Sequence, residues 1–201
     1  MITTGIFGGS FDPIHRGHLE IAKAALREGG VDEVWIMVSP QNPLKQGERK
    51  VPVADRLEMA RIAVQELPEE YRAGIKVSDF ETRLPIPSYT YSTLRALKDA
   101  YPKRNFRWII GGDNLDALAR WRNAKEIIKE FGLIVYPRPG SDTEKLSKSD
   151  PSLVILKNVR LMDISSTAIR EAIRRNDVGI LQRATGESVA SYILQHSLYL
   201  E

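Results

Sequence analysis

Ile2-Thr3-Thr4-Gly5-Ile6-Phe7-Gly8-Gly9-Ser10-Phe11-Asp12-Pro13-Ile14-His15-Arg16-Gly17-His18 runs from an apolar, β-rich stretch through a glycine pair into the start of a helical pattern. Beyond it Leu19, Ala22 and Leu26, with Ile21 and Ala25 beside them, recur at helical spacing, and Gly29-Gly30 supplies a C-terminal stop. A second β-rich run, Glu33–Ser39, follows, so the opening segment reads as a βαβ unit. Gly8 and Gly9 let the backbone approach a ligand closely, and N–H groups at a helix start form an anion site. His15 and His18, three apart, can aim donors at one phosphate from that helix. Read by themselves, the same residues also fit a plain turn with two surface histidines. A metal site is the weaker alternative, because two histidines without a third ligand nearby hold zinc poorly.

Working outward, Ile2–Gly8, Glu33–Ser39, Ile75–Ser78, Phe106–Gly111, Gly132–Pro137 and Ser152–Lys157 read as strands, mostly without period-two alternation. Strands apolar on both faces belong in a covered parallel sheet. Ala54–Glu66, Thr90–Tyr101 and Asn123–Phe131 supply crossover helices. The expected fold is α/β, a doubly wound Rossmann-like parallel sheet. From Thr167 the pattern turns wholly helical, through Thr167–Asn176, Val178–Thr185 and Ser188–Gln195. We therefore expect a single domain, with a Rossmann-like core over about 1–163 and a C-terminal helical cap over about 164–201. Pro137–Pro151 has the composition of a loop.

A chain of 201 residues, 42% hydrophobic, suffices for one substantial core. The 29 Lys+Arg against 26 Asp+Glu give a formal +3, which suits polyphosphate ligands and RNA alike. No cysteine is present, which excludes disulfides, thiolate nucleophiles and Cys-based metal sites. The longest apolar runs fall far short of the roughly 20 residues that span a bilayer, and the N-terminus lacks a secretory pattern. A cytoplasmic protein without membrane or nucleic-acid partners is expected, since no dense basic and aromatic surface pattern is visible.

A second constellation, Ile164-Ser165-Ser166-Thr167-Ala168-Ile169-Arg170, stands at the start of a later helix. Its hydroxyls can cap the helix or bind phosphate, and Arg170 follows one turn on; an ordinary N-cap with a solvated arginine is the plainer reading. Gly111-Gly112-Asp113-Asn114 puts a carboxylate at the carboxyl end of a strand, where open α/β sheets bind ligands, or else an N-cap. Lys145-Leu146-Ser147-Lys148-Ser149 looks like the KMSKS motif of class I aminoacyl-tRNA synthetases, but its loop setting reads as solvated.

Gly-Gly-Ser-Phe-Asp-Pro-x-His-x-Gly-His and Ile-Ser-Ser-Thr-x-Ile-Arg together resemble the HxGH nucleotidyltransferases, and the fuller pattern looks like the bacterial nicotinate mononucleotide adenylyltransferase family over nearly the whole chain. The resemblance implies that His15 and His18 contact the ATP phosphates and stabilise a pentavalent transition state. It places Gly8, Gly9, Ser10 and Phe11 in the ATP site, Ser165, Ser166 and Thr167 on the β/γ-phosphates, and Arg170 as their neutralising charge. By the same likeness Gly111 and Asp113 bind the ATP ribose, and Lys45 reaches the phosphates. Ser88, Tyr89 and Thr90 would frame the mononucleotide pocket, with Trp121 stacked on the pyridine ring. The chain departs from the family's frequent residues at Leu44, Ser92 and Gly112. The implied substrates are ATP and nicotinate mononucleotide, with Mg²⁺ held mainly by the ATP phosphates. The substrate phosphate, whose second pKa is about 6, needs no general base, and His15, His18, Lys45 and Arg170 are expected to bring positive charge. Dual nicotinamide/nicotinate specificity, pantetheine-phosphate adenylyl transfer and a non-catalytic nucleotide sensor are the alternatives.

Overall fold

The uninterrupted apolar runs become strands of one parallel sheet in the computed structural model, which describes residues 1–40, 51–118, 120–138 and 153–200. The strands are β1 (Ile2–Gly9), β2 (Glu33–Val38), β3 (Ile75–Ser78), β4 (Arg104–Gly111), β5 (Leu133–Tyr136) and β6 (Leu153–Ile155), in the spatial order β3-β2-β1-β4-β5-β6. Every pairing is parallel. All six residues of β2 and all four of β5 are buried, which is why neither alternates in sequence. The order reverses at β1, whose neighbours are β2 and β4, so a ligand crevice opens at the carboxyl ends of β1 and β4.

Crossovers are made by α1 (Arg16–Glu28), α2 (Val53–Gln65), α3 (Glu69–Arg72), α4 (Thr90–Ala100), α5 (Leu115–Leu118) and α6 (Ala124–Phe131). Successive β1 side chains point to opposite faces. Phe7 joins a core with Leu19, Ile36, Met59 and Ile109, whereas Ile6 joins one with Trp35, Leu94, Trp108 and Ile127. The C-terminal helices α7 (Ser166–Arg174), α8 (Val178–Thr185) and α9 (Glu187–Gln195) bury Ile169, Ile173, Leu181, Val189 and Ile193 in the first of these cores. The helical cap thus shares its apolar contacts with the sheet.

Strand β4 begins at Arg104, two residues before the predicted start, because Arg104 and Asn105 pair with Ile2 and Thr3 of β1. Backbone pairing does not need apolar side chains. Arg104 and Lys76 both meet the buried Glu33 carboxylate. The single turns α3 and α5, and the 3₁₀ turns Phe80–Arg83 and Gly112–Asn114, had no periodic signal, since one turn is too short to display it. Lys45 and Lys145–Ser149 lie outside the described residues.

Candidate active site

At the end of β1 the backbone passes directly beneath Trp108: a Cβ on Gly8 would stand 2.2 Å from that ring, so only glycine fits. The chain then turns through Phe11 in left-handed geometry (φ 47°) and a cis Asp12-Pro13 bond. His15 is the N-cap of α1, extended at φ −147°. Its N–H donates to His18 Nδ1 at 3.2 Å, which leaves Nε2 of His18 as the protonated nitrogen. The two imidazoles stack with centroids 3.6 Å apart, and Phe11 packs edge-on against His18 at 5.0 Å. Gly17 lies under the His15 ring, which a Cβ there would meet at 3.0 Å. The glycine between the histidines is therefore a packing requirement of the stacked pair.

Burial, reinforced by the nearby Arg138 guanidinium, lowers the His15 pKa to about 4. His18 is likewise held well below its ordinary value, by burial first, then by His15 and Arg138. Both rings are neutral near pH 7 in the unliganded protein. In the unliganded protein they offer N–H donors, because burial makes the charged form of either ring costly. Among the described residues, Arg138 and Arg170 bring positive charge nearby.

Ser165 caps α7, its Oγ accepting from the Ala168 N–H at 3.1 Å. Ser166 Oγ donates to the Pro13 carbonyl (3.0 Å), and Arg170 Nη1 donates to the Asp12 carbonyl (2.8 Å). Thr167 Oγ1 accepts from Arg170 Nη2 at 3.3 Å. The late motif is thereby fastened to the loop that precedes the histidines.

Beside these groups a cavity of about 290 Å³ opens at the carboxyl ends of β1, β2 and β4. Gly8, Gly9 and Ser10 form one wall, and Ser88, Tyr89 and Thr90, at the N-terminus of α4, form another. Trp108, Trp121, Tyr136, Arg120 and Arg122 complete the apolar and cationic lining. The Arg122 guanidinium lies 5.4 Å over the Tyr89 ring. Trp121 Nε1 is buried without a partner among the described residues. Glu81, only 6% exposed, also lines the cavity, and its Oε1 accepts from Ser88 Oγ (2.5 Å) and Ser39 Oγ (3.2 Å). Burial pushes its pKa up, and the two hydroxyls offset part of that rise.

The structure thus brings His15, His18, Ser165, Ser166, Thr167 and Arg170 into one cluster, and Ser88, Tyr89, Thr90 and Trp121 into the adjoining cavity. Gly111 lines that cavity, whereas Asp113 stands exposed in a 3₁₀ turn, where its Oδ1 accepts from Asn114 Nδ2. Five contributors carry no role in the sequence reading: Arg56, Glu81, Arg120, Arg122 and Arg138. Only Arg138 carried a usable signal, because it follows β5 at its carboxyl end.

This geometry, paired imidazoles at one helix start, a second hydroxyl-rich helix start bonded to the loop before them, and a switch-point cavity walled by Gly8, Gly9 and Ser10 of the same loop, defines a nucleotidyltransferase-type site. The chain belongs to the cytidylyltransferase-like family, whose model matches residues 6–172. Its relatives include two proteins named "probable nicotinate-nucleotide adenylyltransferase". That of Bacteroides fragilis is 41% identical over 196 residues, covering 98% of this chain and 89% of the relative. That of Bacteroides thetaiotaomicron is 42% identical over 196 residues, covering 96% and 94%. Among solved structures, Plasmodium falciparum nicotinic acid mononucleotide adenylyltransferase complexed with NaAD matches with a TM-score of 0.85 at 22% identity. It covers 99% of this chain and 98% of that one, which shows a common fold.

Proposed function

We propose that the protein transfers the AMP moiety of ATP to nicotinate mononucleotide, forming nicotinate adenine dinucleotide and pyrophosphate, a step of NAD biosynthesis. The observation that carries this reading is the stacked pair His15 and His18 at the start of α1, preceded by a loop whose Asp12 and Pro13 carbonyls accept from Arg170 and Ser166 of α7. The names of the relatives point to the same reaction. An oxygen of the mononucleotide phosphate attacks the α-phosphorus, the α–β bridging P–O bond breaks, and pyrophosphate leaves with the bond's electron pair. The attacking phosphate is already ionised, so no base removes a proton. Catalysis then rests on alignment and on donors fixed in advance where charge develops.

In this reading Nε2–H of His18 and the His15 ring donate to the phosphates, and Gly8, Gly9, Ser10 and Phe11 form the loop that carries them. Ser165, Ser166 and Thr167 bind the β/γ-phosphates with Arg170, and Gly111 and Asp113 take the ribose. The α4 N-terminus at Ser88–Thr90 receives the nicotinate carboxylate, which a helix start favours, and Trp121 stacks on the pyridine ring. The exposed guanidinia of Arg120 and Arg122 add positive potential that the sequence had not indicated. Mg²⁺ fits as a counter-ion held by the ATP phosphates and water. The side chains gathered there are imidazoles, hydroxyls and guanidinia, and no group of three or more metal-ligating His, Cys, Asp or Glu occurs among the described residues. When bound, it screens the phosphate charge.

The test is pyrophosphate release from ATP and Mg²⁺ with nicotinate mononucleotide, nicotinamide mononucleotide or 4′-phosphopantetheine. Turnover with the nicotinate compound well above the other two is expected. Equal turnover with both pyridine mononucleotides would replace the assignment with dual specificity, and none with any acceptor would leave a nucleotide sensor.

A further inference from the structure

Arg56 is the largest fully buried side chain among the described residues, 2% exposed, in a position that the sequence marks only as one charged residue on an otherwise unremarkable helix. Its guanidinium donates to four carbonyls on three segments: Ser10 (2.7 Å), the adjacent Ser39 (2.7 Å) and Pro40 (3.2 Å), and Val51 (2.9 Å). Burial lowers its pKa and the Asp12 carboxylate opposes that. A guanidinium stays charged under these conditions. A buried cation with four carbonyl acceptors and a carboxylate near it is satisfied in that geometry alone, because each lost acceptor would leave an unpaired charged donor.

Asp12 is itself held from a distant part of the chain. Its Oδ1 accepts from the Tyr199 hydroxyl at 2.8 Å, across 187 residues, and its carbonyl accepts from Arg170. Asp12 is 6% exposed, and Tyr199 adopts left-handed backbone geometry (φ 68°) where the tail folds back to reach it. The loop Ser10–Pro13 is thus gripped from two sides, by Arg56 at its start and by Tyr199 at Asp12. A trans peptide aims its C=O and N–H in opposite directions. Drawing the Ser10 carbonyl to Arg56 therefore turns the Phe11 N–H to the other side. Three residues past Asp12 comes His15, whose stack with His18 depends on where this loop leaves the chain.

We propose that Arg56, Asp12 and Tyr199 form a buried positioning network that sets the Ser10–Pro13 loop, and through it the His15–His18 pair, in the geometry used for transfer. The C-terminal tail is then a structural member of the phosphate site. None of the three side chains needs to touch substrate. The inference rests on the adenylyl-transfer reading for its activity measurement but not for its structural one.

The decisive set is Tyr199→Phe, Asp12→Asn and the double variant, with Arg56→Lys as a harsher probe. Tyr199→Phe removes one oxygen and keeps the ring, so folding is expected to survive. Its turnover should fall about tenfold, with the Michaelis constant for the mononucleotide within about twofold of wild type. The double variant should be no slower than the worse single one, because the two groups act as a unit. The independent readout is the ¹H–¹⁵N spectrum of the imidazole rings, in which His15 and His18 should shift in Tyr199→Phe without ATP. Multiplicative losses in the double variant, turnover retained within about twofold, or unmoved ring resonances would each overturn the network. If wild type transfers AMP to another phosphate acceptor, the substrate reading fails, and the same ratios are read with that acceptor. If wild type transfers to none, the ring spectra decide.

Discussion

The two sides of the candidate site, the cluster around His15 and His18 and the cavity beside it, are built in opposite ways. His15, His18 and the Ser165–Arg170 segment come from two short stretches, each at the start of a helix, and specific hydrogen bonds tie the stretches together. The cavity beside them draws on the ends of β2 and β4, a 3₁₀ turn, the α4 N-terminus and the Arg120–Arg122 segment. On the first side, position is set mainly by helix starts, so few residues suffice. On the second, a buried carboxylate, Glu81, has to hold Ser39 and Ser88 together because no single element spans them. The difference teaches that damage should be severe and catalytic on one side, and graded and substrate-specific on the other.

The sharpest way to break that contrast is His18→Ala, for which turnover should fall about two to three orders of magnitude with modest loss of stability. Removing one preorganised donor costs about 3–4 kcal/mol in the transition state. Near-normal turnover in a folded variant would strip the pair of its role.

The neutral state of the histidines gives a second lever. The His15 pKa is about 4 in the folded protein against an ordinary 6.5. Between those values the unfolded chain binds more protons, so stability is fully present above about pH 6.5 and is lost as pH falls toward 4. From about pH 7 to pH 4.5 this ring should account for about 2–3 kcal/mol of lost stability. Denaturant melts of wild type and His15→Asn at both pH values check it; equal losses in the two proteins would mean that His15 is not held neutral by burial.

On the cavity side, Glu81→Ala should raise the Michaelis constant for the mononucleotide about tenfold while that for ATP changes less than about twofold, since it frees two buried hydroxyls. Parallel changes for both substrates would merge the two sides into one cooperative site. Trp121→Ala should have the smallest selective effect, weakening nicotinate and nicotinamide mononucleotides alike by a few-fold, roughly what one stacking face provides. A variant that altered their ratio instead would make Trp121 a reader of the carboxylate.

Much of this is legible in the residues alone. Glu33–Ser39 is readable as a covered strand because burial on both faces leaves an apolar run, and Ser165 is readable as a cap or a phosphate ligand because a hydroxyl before a helical period serves either use. The parallel sheet and the two helix-start motifs are properties of short windows, legible residue by residue along the chain. Which distant groups those windows meet is a matter of packing. Arg56 looks like any charged helix residue until β1, β2 and the entry to α2 converge and bring four carbonyls to it. Glu81 becomes a cavity wall through neighbours 42 and 7 residues away, and Tyr199 reaches Asp12 across 187. The histidines are neutral for the same reason: burial of the two rings and the charge of Arg138 beside them both arise from packing, and no local pattern of residues encodes them.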